Sequence, residues 1–147
     1  MCKNSFQQVY HEFEPIYNEK SKVLILGTFP SVKSREGQFY YHHPQNRFWK
    51  VMAALTKERL PQTISEKKEL LLNHHIVIWD VVQSCQIKGS SDCSIRNVVP
   101  ADIDRILRDP EVENFFTNGT TAYRLYKKYC QKATAVKTVW LPSTCPA

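Results

Sequence analysis

The stretch KVLILGTFPS, residues 22–31, changes from aliphatic to polar within a single turn of chain. Its aliphatic residues, Val23 to Leu26, occupy both parities instead of alternating, which is the pattern of a strand covered on both faces. Such strands belong to parallel sheets. Working outward, residues 76–81 (IVIWDV) repeat the pattern, and residues 113–118 and 136–141 offer two shorter strands. Between them lie segments with helical spacing. Residues 46–55 place Phe48, Met52 and Leu55 on one face with Asn46 as N-cap, and residues 66–73 follow Ser65 as cap. Residues 101–108 are closed by Pro110, and Thr120 caps a helix reaching Cys130. Strands separated by helices imply right-handed crossovers, so the expected fold is a three-layer α/β/α domain around a four-stranded, mainly parallel sheet. Ahead of it, the spacing of Phe6, Val9, Tyr10 and Phe13 after Ser5 predicts a short helix ending before Pro15. Residues 28–45 and 83–99 read as long polar loops.

The chain has 147 residues, enough for one domain over 1–147. Its longest purely aliphatic run is Val23 to Leu26, far below the roughly 20 apolar residues a membrane-spanning helix needs. No apolar signal core precedes Phe13, so an intracellular protein is expected, cytoplasmic in a prokaryote. The five cysteines are odd in number, scattered and without a C-x-x-C pair, which fits reduced thiols better than a disulfide framework or a zinc site. A net charge of +6 suggests a polyanionic partner, and its distribution sharpens the point. Residues 20–50 hold six basic side chains against one acid, and no acid follows Glu113, although Arg124, Lys127, Lys128, Lys132 and Lys137 do. Both basic blocks are interleaved with aromatics, as a surface that tracks phosphates and stacks on bases requires.

In parallel α/β sheets the ligand lies beyond the carboxyl ends of the strands, where the polar segments begin. Residues 27–51 (GTFPSVKSREGQFYYHHPQNRFWKV) leave the first strand and reach a helix N-terminus. Phe39, Tyr40 and Tyr41 offer flat faces, His42 and His43 offer donors or acceptors, and Asn46 offers an amide. Phe48 and Trp49 fit helix core. Asn46 is open to two readings, a plain N-cap or a ligand-directed amide. His42 and His43 lack further ligands at metal-binding spacing, so no metal is expected. Leu141-Pro142-Ser143-Thr144 leaves the last strand as a stiff loop able to enter a groove, Asp80 ends the second strand, and residues 79–97 are polar enough for a second pocket wall.

GTFPS followed by HHPQNRFWKV resembles the first motif block of mismatch-specific uracil-DNA glycosylases. Together with WDVVQSC, GSSDCSI, FFTNG and LPST, the pattern is similar to the hypoxanthine-DNA (deoxyinosine) glycosylase branch over nearly the whole chain. That resemblance implies the superfamily fold and a cofactor-free enzyme that cleaves the bond between a damaged base and deoxyribose. Phe29 stands where the mismatch-specific enzymes place a water-positioning asparagine, and the resemblance marks Asn46 as catalytic instead. Relatives continue beyond the position of Ala147 and have serine where Cys145 stands, which implies a chain truncated at its C-terminus. On this reading Thr28, Phe29, Tyr41 and His43 bind the flipped base, with Tyr41 stacking on it. Lys33, Arg35, Arg47, Pro142, Ser143 and Thr144 would contact DNA.

Flipping costs a few kcal/mol and is easiest at a damaged or mismatched pair, which favours deaminated bases such as hypoxanthine, then uracil. The expected partner is therefore DNA carrying a damaged base, met by a monomer, with no membrane involved. A non-catalytic lesion-binding module on the same fold is the alternative. A hydrolase of free nucleotides is a weaker fit, because GTFPS is not a glycine-rich phosphate loop.

Overall fold

The computed structural model describes residues 5–108 and 112–145. In chain order the elements are β1 (Gln7–Tyr10), β2 (Val23–Gly27), α1 (Val32–Gly37), α2 (Phe48–Thr56), α3 (Ile64–Asn73), β3 (Ile76–Asp80), β4 (Val82–Ile87), β5 (Arg96–Pro100), α4 (Ile103–Arg108), β6 (Asn114–Asn118), α5 (Thr120–Tyr129), α6 (Gln131–Thr134) and β7 (Val139–Leu141), with a 3-10 turn at Asp92–Ser94. The main sheet has four strands in the order β3-β2-β6-β7, all parallel, flanked by helices as expected. Leu24, Ile25 and Leu26 on β2 are at most 6% exposed, and Val77 and Ile78 on β3 have no solvent exposure, so successive residues of both strands are covered whichever face they point to. Each such side chain contributes about 1.5–3 kcal/mol by leaving water. Phe39, Tyr40, Phe48 and Trp49 complete the core and form a contiguous aromatic wall beside the carboxyl end of β2.

The expected opening helix is instead β1, paired antiparallel with β4 so that Val9 faces Cys85 across the ladder. An eight-residue helix has too few turns to offset its nucleation cost, whereas the strand gains a partner. Val9 then packs on the small cluster of Phe29, Val82, Cys85 and Ile87, while Phe6 lies 3.4 Å beneath the Arg96 guanidinium. Likewise, residues 83–99 are not a loop: β1, β4 and β5 form a second, antiparallel sheet. Register shifts between β4 and β5 break the alternation by which sequence would reveal these strands.

Residues 28–45 also contain a helix, α1, whose cap Ser31 accepts from the Ser34 N–H at 3.2 Å. Three expected caps move by one or two positions. Arg47 occupies the N-cap of α2 in place of Asn46, Thr63 that of α3 in place of Ser65, and Gly119 that of α5 in place of Thr120. Pro110 lies outside the described residues. No helix among the described residues is long and apolar enough to cross a membrane.

Candidate functional site

A cavity of about 370 Å³ opens beyond the carboxyl ends of β2, β3 and β6, where an open parallel sheet presents its ligand site. Gly27 forms part of its floor, and a Cβ there would collide with Asp80 Oδ1 and the Tyr41 hydroxyl. Only glycine lets the carboxylate and the phenol approach the β2 backbone together. Asp80 is 4% exposed, and its Oδ2 lies 2.7 Å from His11 Nε2. Because an ionised carboxylate can only accept, the imidazole donates from Nε2. His11 itself is wedged between the rings of Phe13, Phe29 and Tyr40, and its buried Nδ1 has no hydrogen-bond partner among the described residues. The segment after β1 thus reaches across from the smaller sheet to hold an acid on the floor of the larger one.

A second carboxylate enters from the opposite wall. Asp92 opens the 3-10 turn and lines the cavity, with the Thr28 hydroxyl near it. Burial is the main reason its pKa is pushed up to about 6, the Asp80 charge adds to the rise, and the nearby Thr28 hydroxyl partly offsets it. The Tyr41 ring stacks on Phe48 at 4.0 Å between centroids, and Tyr41 takes a left-handed backbone conformation, φ 51°. Burial, then the Asp80 charge, drives its ionisation far above the ordinary phenol range, so the hydroxyl is a neutral donor. Asn118 lies near enough to favour the ionised phenol slightly, yet among the described residues no atom completes a hydrogen bond to that buried oxygen.

Asn46 combines the two readings that sequence left open. From the position before the N-cap of α2, its Oδ1 accepts from the Phe48 N–H at 2.8 Å and from the Thr144 hydroxyl at 2.9 Å. Two donors on the oxygen fix the amide plane; Nδ2 donates one hydrogen to Cys145 Sγ at 3.6 Å and keeps its second N–H at the cavity rim. Thr144 is the centre of a clasp: its hydroxyl accepts from Asn118 Nδ2 at 3.0 Å, its N–H donates to Asn118 Oδ1 at 3.1 Å, and its carbonyl accepts from the Arg47 N–H at 3.0 Å. This hydroxyl is engaged within the protein and holds Asn46, whereas Pro142 and Ser143 remain exposed.

The remaining sequence-derived residues divide between the cavity and its surroundings. Thr28, Phe29, Tyr41 and His43 all line it, with His43 Nδ1 accepting from the Gln45 N–H at 3.1 Å. Lys33 is exposed on α1, 3.8 Å from Glu36, and Arg47 is exposed beside the Ser143 and Cys145 carbonyls. Arg35 is different. Its guanidinium donates to the Pro30 and Gly89 carbonyls, both at 3.1 Å, and covers the Phe29 ring, so it ties α1 to the loop that carries Asp92. Sequence reasoning missed His11, Asp92 and Asn118. Asp92 had a signal, being the only acid between Asp80 and Asp102, but His11 lay in a segment read as helix. Among the described residues no group of three or more His, Cys, Asp or Glu converges as a metal site.

The chain matches the family model of the Uracil DNA glycosylase superfamily over residues 14–147. It is 37% identical over 84 residues to a protein named hypoxanthine DNA glycosylase from Methanosarcina acetivorans, covering 56% of this chain and 53% of that one. A protein of the same name from Methanosarcina barkeri is 33% identical over 87 residues, covering 58% and 54%. The chain spans about half the length of the curated relatives it matches. It also superposes on the solution NMR structure of a candidate uracil DNA glycosylase from Methanosarcina acetivorans with a TM-score of 0.77 and 27% identity, over 90% of this chain and 82% of that one.

Proposed function

The chain belongs to the uracil DNA glycosylase superfamily, and from that premise we propose that it excises hypoxanthine from DNA, with uracil a slower substrate, by hydrolysing the N-glycosidic bond of a flipped nucleotide. The observation that carries this reading is the Asn46 amide, held by Phe48 and Thr144 at the rim of a cavity of base-accommodating size and chemistry. Cleavage passes through a sugar with oxocarbenium character and a base that accumulates negative charge. A fixed N–H donor gains strength as that charge develops, without reorganising, which makes it stronger in the transition state than in the ground state. Asn46 Nδ2 supplies that donor to the base carbonyl. Thr28, Phe29, Tyr41 and His43 shape the base pocket. Asp80, backed by His11, supplies an acceptor for the attacking water.

Outside the cavity, the exposed Lys33 and Arg47 neutralise phosphates, and Pro142 and Ser143 support the strand beside the flipped nucleotide. Arg35 contributes by bracing the wall between them. The partner is DNA carrying a deaminated base, and the protein acts as a monomer inside the cell. Labelled duplexes, each with one hypoxanthine, uracil or xanthine, test the proposal when treated with the protein and then with alkali to cut abasic sites. Strand cleavage at hypoxanthine is expected, and cleavage at none of the three overturns the reading. Tight lesion binding without cleavage would assign the cavity to a sensing module.

A further inference from the structure

We propose that Asp92 is the general acid that protonates the departing purine, an assignment that rests on the glycosylase reading above. The cavity holds two carboxyl groups in unlike surroundings. Asp80 is held by the His11 imidazole, whereas Asp92 forms no salt bridge among the described residues and has the neutral Thr28 hydroxyl near it. Unlike environments around paired carboxyls separate an acid from an acceptor.

The Asp92 loop is also braced as a catalytic group requires. The Val32 N–H donates to Ser90 Oγ at 2.9 Å, Arg35 donates to the Gly89 carbonyl at 3.1 Å, and the Lys88 N–H donates to Ser94 Oγ at 2.8 Å. Three hydrogen bonds therefore set the position of a turn whose first residue, Asp92, faces the cavity. Burial of this carboxyl opposes its ionisation. The charged and titratable groups acting on it from neighbouring elements are Asp80 of β3, Cys85 of β4 and Tyr41 before α2, with Arg35 of α1 bracing its loop. With the carboxyl pushed up to about 6, about a tenth of the molecules carry its proton at pH 7.

In the proposed step the N9–C1′ bond breaks and its electron pair stays with the purine. The Asp92 carboxylic acid gives its proton to a basic ring nitrogen, N7 or N3, and the base departs neutral. Water adds its oxygen to C1′, and the proton it releases restores a carboxylic acid in the cavity or passes to solvent. Asn46 holds the carbonyl oxygen throughout. A linked uracil has no comparably basic ring nitrogen and must leave as an anion, so the acid favours purines.

Single-turnover excision from a hypoxanthine duplex, followed from pH 5 to 8.5, tests the assignment with wild type, Asp92→Asn and Asp92→Glu. Wild-type rate should fall about tenfold per pH unit above pH 6, and Asp92→Asn should lose about 10²–10⁴-fold at pH 6 and flatten the profile. Asp92→Glu should restore a sloping profile, which a merely structural role would not require. An active wild type whose alkaline slope persists in Asp92→Asn, or a folded Asp92→Asn within twofold of wild type, overturns the assignment alone. If Asp92→Asn does not fold, a pH-independent rate in Asp92→Glu overturns it. A wild type inactive on hypoxanthine at every pH removes the substrate reading and this one with it.

Discussion

Removing the charge of Asp92 should make the protein more stable at neutral pH, whatever it does to activity. Asn keeps an oxygen beside Thr28 and has nothing to ionise. In the unfolded chain the carboxyl titrates near 3.8, and in the folded cavity near 6, so folding favours its protonated form. Stability from this shift is fully present below pH 3.8 and is lost as pH rises through 6. Relative to Asn, the wild-type carboxyl should then cost about 1 kcal/mol at pH 4.5 and about 3 kcal/mol at pH 7.5, the latter an upper figure because Asp92 keeps some solvent contact. Urea unfolding of both proteins at the two pH values measures the difference. At pH 7.5 the midpoint of Asp92→Asn should lie up to about 1–3 M higher, given m-values of about 1–3 kcal/mol/M. An equal gap at both pH values, or a less stable variant at pH 7.5, would refute the account of a carboxyl strained by burial.

Two further outcomes follow from the site. Asn46→Ser should fold, with stability reduced by about 0.5–2 kcal/mol as a weakened cap, yet lose most single-turnover excision because no N–H donor remains, and Asn46→Asp should excise no better; near wild-type excision by Asn46→Ser would reduce Asn46 to a capping role. Replacing Lys33 and Arg47 by Ala should each reduce the log–log salt slope of DNA binding by about 0.9, measured by fluorescence anisotropy, whereas Arg35→Ala should leave that slope unchanged and impair excision by freeing the Asp92 loop.

The parallel sheet was legible because strands buried on both faces write an unbroken aliphatic signature, as Val23 to Leu26 do. The second sheet was not. β4 alternates imperfectly, its partner β5 is mostly exposed and ends in proline, and β1 is stabilised by pairing with residues more than 70 positions away, which no local period records. The same limit governed the site. Thr28, Phe29, Tyr41, His43 and Asn46 sit in one continuous segment and could be read together, so their shared place around the cavity was accessible from sequence. His11 and Asp80 become neighbours only through the meeting of two sheets. Arg35 was read as a phosphate contact because its charge was visible, while the carbonyls that occupy its guanidinium were not.

The clasp at Thr144 also sets when the site can exist. Its hydroxyl bond to Asn46 closes a span of 98 residues, and the His11–Asp80 contact closes one of 69. The length-dependent entropy of closing the longer span is about 4 kcal/mol, so the contact forms only after the intervening sheet has already brought its ends together. A ribosome-bound chain would therefore build β2 and β3, with Asp80 in place, while Asn46 still lacked the hydroxyl that fixes its amide. Orienting the Asn46 amide thus requires β7 and the segment after it to be docked, so a completed parallel sheet does not by itself complete the cavity rim.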